Sequence, residues 1–201
     1  VGEKNFSILS APGDMGEALL KKLKIPCDVV LCPKADTSSA EDTKLCAQIM
    51  KEQGVDLLVF CGGDGTARDI CEAVGTDVTV LGIPAGVKMY SACYACNPYQ
   101  AGEMLAGWLE GKEMSYEMRE VLDIEEKDLD SRNVSPQLYG FLEVLSDGKH
   151  LQKAKELDLG SGESATIIAR AAILRMEKDW VYIIGPGGTT WKIKELLCEN
   201  D

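Results

Sequence analysis

The chain has 201 residues, of which 45% are apolar, enough for one large domain or two small ones with a buried core. It carries 33 acidic and 21 basic side chains, a formal charge of −12. This charge argues against broad electrostatic binding of nucleic acid or of an anionic membrane. An anionic ligand must therefore be held by local features of the fold.

Up to about residue 110, short apolar runs alternate with amphipathic segments, a pattern typical of parallel strands joined by crossover helices. Strands are predicted at 6–9, 27–32, 56–61 and 78–83. Helices are predicted at 16–23, 38–54, 67–74 and 98–110. Ser38 with Glu41 is a candidate capping box for the second helix, and Asn97 before Pro98 caps the fourth. The run DLLVFC at 56–61 is so uniformly apolar that we expect a central strand covered on both faces.

From about residue 111 the pattern changes to two longer strands, predicted at 116–124 and 138–145 and separated by a polar turn. A helix at 163–178, a strand at 180–184 and a helix at 189–197 follow. We therefore predict an α/β fold in two domains. The first, over 1–111, is a parallel-sheet nucleotide-binding domain, and the second, over 112–201, is a further strand-containing α/β domain.

The strongest local signal is GGDGT at 62–66, between a predicted buried strand and a predicted helix. Glycines let the backbone approach a ligand closely, and the start of a helix attracts phosphate. We predict that Gly62, Gly63, Gly65 and Thr66 bind nucleotide phosphates. Asp64 is the candidate base for an attacking hydroxyl, or a ligand of Mg²⁺. The alternative is a tight turn in which Asp64 caps the helix.

The segment IPAGVKMYSA at 83–92 also leaves the end of a predicted strand, so we expect it to flank the same crevice. Lys88 is the natural cation for a phosphate in this acidic chain, and Gly86 and Ser91 are candidate contacts. The alternative, with about equal weight, is that the glycine shapes a connection and Lys88 is a solvated surface charge.

A third glycine-rich segment, GPGGTT at 185–190, stands before the last predicted helix. It is a second candidate cradle for an anion, without an acid or base of its own. The alternative is a turn with a hydroxyl cap. The candidate phosphate contacts are Gly185, Gly187, Gly188, Thr189 and Thr190.

Other polar residues carry weaker signals. Arg68 follows the GGDGT segment and is a candidate phosphate ligand, with surface pairing beside Asp69 as the alternative. Asp123 belongs to an acidic cluster that includes Glu120 and is a candidate metal ligand, although most such clusters are simply solvated. His150, the only histidine, is not expected to be catalytic because it has no placed partner.

The eight cysteines show no disulfide spacing, which indicates a reducing, cytoplasmic compartment. Cys93 and Cys96 form a CxxC pair, but no second pair accompanies it, so we interpret it as structural. No segment reaches the roughly 18 apolar residues of a membrane span, and no signal peptide opens the chain. Five further cysteines lie in apolar segments and are predicted to be buried thiols: Cys27, Cys32, Cys46, Cys61 and Cys71.

Five segments, in order, resemble the bacterial and archaeal branch of the ATP-NAD kinase family: FCGGDGTARDI, LGIPAGVKMYSA, REVLDIEE, SPQLYGFLEV and YIIGPGGTT. GGDGT is shared with diacylglycerol and sphingosine kinases, whereas IPAGVKM and GPGGTT point to this branch. The resemblance implies a two-domain fold with the active site between the domains, and frequent homo-oligomers. It also implies phosphoryl transfer from ATP, with Mg²⁺, to a hydroxyl of NAD or an NAD-like acceptor. If the role of the family's loop aspartate is carried over to this chain, Asp64 activates the 2′-hydroxyl of the adenosine ribose.

Two departures from the family keep alternatives open. The asparagine and acid pair of its second motif is not present from Ala85 to Ser91. A non-catalytic nucleotide-binding or regulatory module is therefore the alternative function, with a lipid kinase-like enzyme third. The chain starts at Val1 without a methionine, and the family's opening strand would precede it, so we expect a fragment that is inactive alone if its site is incomplete.

Overall fold

The computed structural model describes residues 6–31, 38–86, 89–123, 136–152, 161–185 and 187–198. Its helices are α1 Glu17–Lys22, α2 Ala40–Glu52, α3 Asp64–Val74, α4 Pro98–Glu110, α5 Ser161–Ile173 and α6 Gly188–Cys198. Its strands are β1 Leu9–Ser10, β2 Asp28–Val29, β3 Leu58–Gly62, β4 Val80–Pro84, β5 Ser115–Asp123 and β6 Gln137–Ser146. The predicted α/β class is confirmed.

The strands form a two-stranded parallel sheet, β1 with β2, and a four-stranded mixed sheet in the order β3-β4-β6-β5. β3 and β4 are parallel and in register, from Leu58 opposite Val80 to Gly62 opposite Pro84. β5 and β6 form an antiparallel pair. Because β3 and β4 end side by side, the loops that follow them begin next to each other.

β3 lies at the edge of the four-stranded sheet, so the prediction of a central strand is wrong for the described part of the chain. Leu58 and Phe60 are buried, whereas Val59 and Cys61 are exposed. The strand therefore alternates between a covered and an open face. The sequence does not show this alternation, because the two residues on the open face, a valine and a cysteine, are apolar like those on the covered face.

The start of α2 and the segment at 180–184 also differ from the predictions. Ser39, one residue later than predicted, is the N-cap of α2 and forms a capping box with Asp42. Both this pair and the predicted one fit the same spacing. The segment at 180–184 pairs with no other strand in the described residues, and Val181 and Ile183 are more than nine-tenths exposed.

The core lies between the four-stranded sheet and its helices. α3 packs against β5 and β6 and against α2, while α4 packs against β4. Ile70 and Val74 of α3 are buried in the same apolar cluster as Val121, Leu142 and Val144 of the sheet. α3 is therefore fixed on the sheet along its length, with its first turn at the carboxyl end of β3.

By its contacts the chain divides into two compact units, Val1–Lys155 and Glu156–Asp201. β5 and β6 belong to the first unit because Val80 pairs with Val144 and the Thr79 hydroxyl donates to the Glu143 carboxylate. The domain division after residue 111 stays a prediction, and the compact units divide later. In the described parts of the chain, no helix has the length and apolar character to cross a membrane.

A substitution at Gly82 in β4 tests this packing. An added Cβ would lie 2.6 Å from the Cys93 carbonyl oxygen and 2.7 Å from Cδ1 of Tyr94. We expect Gly82→Ala to lower the free energy of unfolding by about 1–3 kcal/mol, because backbone and a packed ring must move. Urea denaturation measures this change.

Gly102→Ala is the matched control, because Gly102 is exposed in α4 and an added Cβ meets no atom within 4 Å. We expect its free energy of unfolding to stay unchanged or to rise by up to about 1 kcal/mol through the better helix propensity of alanine. Equal losses in the two variants would contradict the packing described.

Candidate functional site

The GGDGT segment forms the turn from β3 into α3. Gly62 is the last residue of β3, Gly63 is the N-cap and α3 begins at Asp64. Gly63 has extended backbone and offers no side-chain cap. The first amide groups of an α-helix have no acceptor within the helix. The amides of Gly65 and Thr66 can therefore bind an acceptor from outside the helix.

This turn packs closely on its own first helical turn and on the loop after β4. At Gly62 an added Cβ would lie 2.3 Å from Oγ1 of Thr66, and at Gly86 one would lie 3.4 Å from Cα of Gly63. The Ala85 N–H donates to the Gly62 carbonyl at 2.9 Å. The two loops thus pack backbone against backbone, which confirms that they share one edge of the sheet.

Gly65 differs from these glycines because an added Cβ would meet no atom of the described residues outside its own helix within 4 Å. Packing among the described residues does not explain why this position is glycine. In a helix, glycine costs about 0.5–1 kcal/mol relative to alanine. The open space around Gly65 is the kind of surface at which a ligand can approach the backbone closely.

Asp64 joins the two loops. Its side chain is nearly buried, and its carboxylate accepts the N–H of Tyr90 at 2.7 Å on Oδ2 and the N–H of Ser91 at 2.9 Å on Oδ1. The cap of α3 is Gly63, so the alternative in which Asp64 caps its own helix is wrong. Each carboxylate oxygen has two acceptor positions, which leaves room for a hydroxyl donor.

Ser91 is 2% exposed and connects the second loop to β5. Its Oγ donates to the Leu122 carbonyl at 2.8 Å and accepts the Leu122 N–H at 3.0 Å. Next to it, the Ala92 N–H donates to the Glu120 carbonyl at 3.1 Å. The hydroxyl that was predicted to contact a phosphate is thus used inside the protein, and its role here is structural.

Arg68 and Asp123 are paired with each other. Nη1 of Arg68 lies 2.9 Å from Oδ2 of Asp123, and its guanidinium lies 5.4 Å from the ring centre of Tyr139. Burial works to lower the pKa of Arg68, but its hydrogen bond with Tyr139 and the charge of Asp123 outweigh this and raise it. Arg68, the predicted phosphate ligand, and Asp123, the predicted metal ligand, therefore neutralise each other. Arg68 is thus ion-paired, as the alternative implied, and its partner is Asp123.

The carboxylates near the loops do not form a metal site by themselves. Asp64 is bonded to backbone amides and Asp123 to Arg68. Among the residues that the structure describes, no group of three or more His, Cys, Asp or Glu side chains could hold a metal ion. Lys88, the predicted cation of the second loop, lies outside the described residues.

The GPGGTT segment belongs to the second compact unit and is described by itself. Oγ1 of Thr190 lies 3.0 Å from the Gly185 carbonyl oxygen and 2.9 Å from that of Gly187. This hydroxyl donates to both carbonyls and closes the turn before α6. A capping hydroxyl would instead accept a helix N–H, so the cap alternative stays a prediction. Gly187 has a φ of +146°, a backbone conformation that favours glycine. Thr189 is exposed and Gly188 is the first residue of α6, so their predicted anion contacts stay predictions.

Tyr94 is a residue of the site that the sequence did not single out. It is fully buried, its hydroxyl donates to the Gly63 carbonyl, and its ring meets that of Phe60 edge-on at 5.4 Å between centres. Burial raises the pKa of Tyr94 far above the ordinary value. The available signal was general: a tyrosine in an apolar segment needs a hydrogen-bond partner when buried.

The cysteines are less buried than predicted. Cys46 is buried, but Cys27 and Cys71 are half-buried and Cys61 is exposed, while Cys32 lies outside the described residues. In the CxxC pair, Cys93 is buried and Cys96 exposed, and both thiols are free. Burial raises the pKa of Cys93 to about 12, so its thiol stays protonated at neutral pH.

Thiol alkylation tests this assignment. With iodoacetamide at pH 8, we expect Cys61 and Cys96 to react in the native protein, because they are exposed. Cys46 and Cys93 should react only after denaturation, since the thiolate is the nucleophile and burial suppresses it. Peptide mass spectrometry measures each site. Rapid native alkylation of Cys93 would contradict the burial of this thiol.

A comparison with known proteins finds a match to a protein-family model. Residues 3–113 match the family model described as the ATP-NAD kinase N-terminal domain, more than half of the chain. The match covers both the GGDGT segment and the loop after β4, and it ends just before β5. No curated protein and no solved structure gives a significant match.

Proposed function

Since the chain belongs to the ATP-NAD kinase family, a family of phosphotransferases, we propose that it transfers a phosphoryl group from ATP to a hydroxyl of NAD or an NAD-like acceptor. The observation that carries the proposal is the open space around Gly65, the residue that follows Asp64, whose nearly buried carboxylate is held by two backbone N–H groups. A cytoplasmic location, indicated by the cysteines without disulfide spacing, and a homo-oligomeric state, implied by the family resemblance, belong to the same proposal.

Phosphate binding is assigned to the first turn of α3. The amide groups of Gly65 and Thr66 lack acceptors in the helix, and the start of a helix carries partial positive charge. Without a Cβ at Gly65, a phosphate oxygen can reach these donors directly. Local donors matter here because the chain as a whole carries a net charge of −12, which repels a nucleotide at long range.

Asp64 is proposed to orient the acceptor hydroxyl and to take its proton. Two backbone N–H groups fix the carboxylate beside the open face, so little reorganisation is needed during reaction. In phosphoryl transfer most catalysis comes from positioning and charge stabilisation. A carboxylate held rigidly next to the phosphate site suits that requirement.

Mg²⁺ is proposed to enter with ATP. The ion keeps several waters and is usually held by one or two carboxylates together with substrate phosphates. The described carboxylates form no cage for it, because Asp123 pairs with Arg68. When bound, it neutralises charge on the phosphates.

A non-catalytic nucleotide-binding module is the second candidate. Both Asp64 oxygens already accept backbone hydrogen bonds, and this occupation favours a purely structural carboxylate. The family's asparagine and acid pair is also not present from Ala85 to Ser91. The two candidates differ in product: an enzyme forms NADP from ATP and NAD, whereas a module binds ATP without turnover.

Asp64→Asn tests the assignment of the base. The amide cannot take a proton and leaves one backbone N–H without an acceptor. We expect kcat for NADP formation to fall by about 100-fold or more, with ATP still bound in calorimetry.

Asp69→Asn is the matched control, since Asp69 is another buried carboxylate of α3. The kcat of the Asp69→Asn variant should stay within a few-fold of the kcat of the unmodified protein. Unchanged kcat in Asp64→Asn would remove Asp64 from the mechanism. ATP binding without NADP in the unmodified protein would favour the module or another acceptor.

Gly65→Ala tests the phosphate site separately from the chemistry. Among the described residues outside its own helix, the added methyl meets no atom within 4 Å, so we expect stability to hold or to rise by up to about 1 kcal/mol. It adds a side chain next to the amides that are proposed to bind phosphate, however, and we expect ATP binding to weaken by roughly tenfold or more, close to the loss of one charge-assisted hydrogen bond.

Isothermal titration measures the affinity, with Gly102→Ala as a glycine substitution in another helix. ATP affinity equal to that of the unmodified protein would show that phosphate does not bind at this face.

A further inference from the structure

We propose that Tyr94 is a positioning residue for the phosphate loop: its hydroxyl fixes the Gly63–Asp64 peptide so that the amides at the start of α3 face the nucleotide. This inference rests on the proposed function, because it needs a phosphate at the first turn of α3. Tyr94 itself is fully buried and touches no substrate, so it acts through the backbone of Gly63.

The Gly63 carbonyl receives two donors. The Tyr94 hydroxyl donates to it, and so does the N–H of Ala67, at 3.0 Å. A carbonyl oxygen has two lone pairs, so both are used and its direction is fixed. The described peptide bonds are all trans, and in a trans peptide the N–H points opposite to the C=O. Fixing the Gly63 carbonyl inward therefore turns the Asp64 N–H outward.

The ring that carries this hydroxyl is held from several sides. The Tyr94 ring packs edge-on against Phe60 at an interplanar angle of 61°. It occupies space that the glycine at position 82 leaves open, because a Cβ on Gly82 would lie 2.7 Å from Cδ1 of Tyr94. The main chain is held as well: the Ala95 N–H donates to the Gly82 carbonyl at 2.9 Å, and the Gln152 N–H donates to the Tyr94 carbonyl at 2.8 Å. The hydroxyl cannot move unless the core moves.

The missing side-chain cap explains why such a donor is useful. Most helices fix their first turn with an N-cap side chain that accepts an amide of the second or third residue. Gly63 provides no such acceptor, which keeps those amides free for a ligand but leaves the turn less constrained. Tyr94 constrains it from the carbonyl side and consumes none of the amides. Burial, which raises the pKa of Tyr94, keeps the hydroxyl a donor.

Tyr94→Phe removes the hydroxyl and keeps the ring. We expect ATP affinity to fall about tenfold, because the loss of one buried hydrogen bond frees the carbonyl and the amides behind it. Adenosine, which has no phosphate, should bind as it does to the unmodified protein. Calorimetry measures ATP, and titration followed by NMR measures adenosine. A defect of the fold would weaken both ligands together.

Val74→Ala is the matched control for stability. Val74 is fully buried at the far end of α3, so this variant is destabilised without a change at the loop. In the proteins without ligand, we expect the amide resonances of Asp64, Gly65 and Thr66 to shift in Tyr94→Phe and to stay in place in Val74→Ala. This readout requires no activity.

The outcomes separate this inference from the proposed function. Two outcomes would show that Tyr94 only fills the core and that the inference is wrong, provided that the unmodified protein binds ATP. In the first, Tyr94→Phe binds ATP with unchanged affinity. In the second, its affinities for ATP and for adenosine fall by the same factor. If the unmodified protein does not bind ATP, the proposed function fails and the inference falls with it. A selective loss of ATP affinity, with shifted loop amides, supports it.

Discussion

The in-register pairing of β3 and β4 is the constraint on which the site depends. Gly62 faces Pro84 at the ends of these strands, so two chain segments leave the sheet at nearly the same point. Buried backbone N–H groups need acceptors, and the carboxylate of Asp64 provides one for Tyr90 and one for Ser91. Glycines at the contact allow the approach that these bonds require.

This constraint also decides which groups remain for a ligand. Ser91 is committed to Leu122 and Arg68 to Asp123, so two of the side chains predicted to bind phosphate instead connect the second loop and α3 to β5. The main-chain amides of α3 remain. In a chain with a charge of −12, binding through oriented backbone dipoles avoids the need for a surface rich in cations.

Local signals explain what the sequence predicted, and distant contacts explain what it did not. The Asn97 cap places α4, and the five recognised segments named the family that the match at 3–113 confirms. The partners of Ser91 and Arg68 lie 31 and 55 residues away along the chain, beyond any spacing rule. Strand order also depends on contacts between distant parts of the chain, which is why the sequence predicted a central position for β3. The proposed role of Tyr94 depends on the Gly63 carbonyl, 31 residues earlier.

The two backbone bonds of Asp64 are compatible with catalysis as well as with a structural role. A loose phosphoryl-transfer transition state leaves little covalent work for a base, and alignment of the acceptor with the phosphate dominates the rate. A carboxylate that is free to rotate would spend part of its time in unproductive orientations. Held by Tyr90 and Ser91, Asp64 keeps one orientation relative to the first turn of α3. The bonds that give Asp64 a structural role thus also suit its proposed role as the acceptor for a substrate hydroxyl.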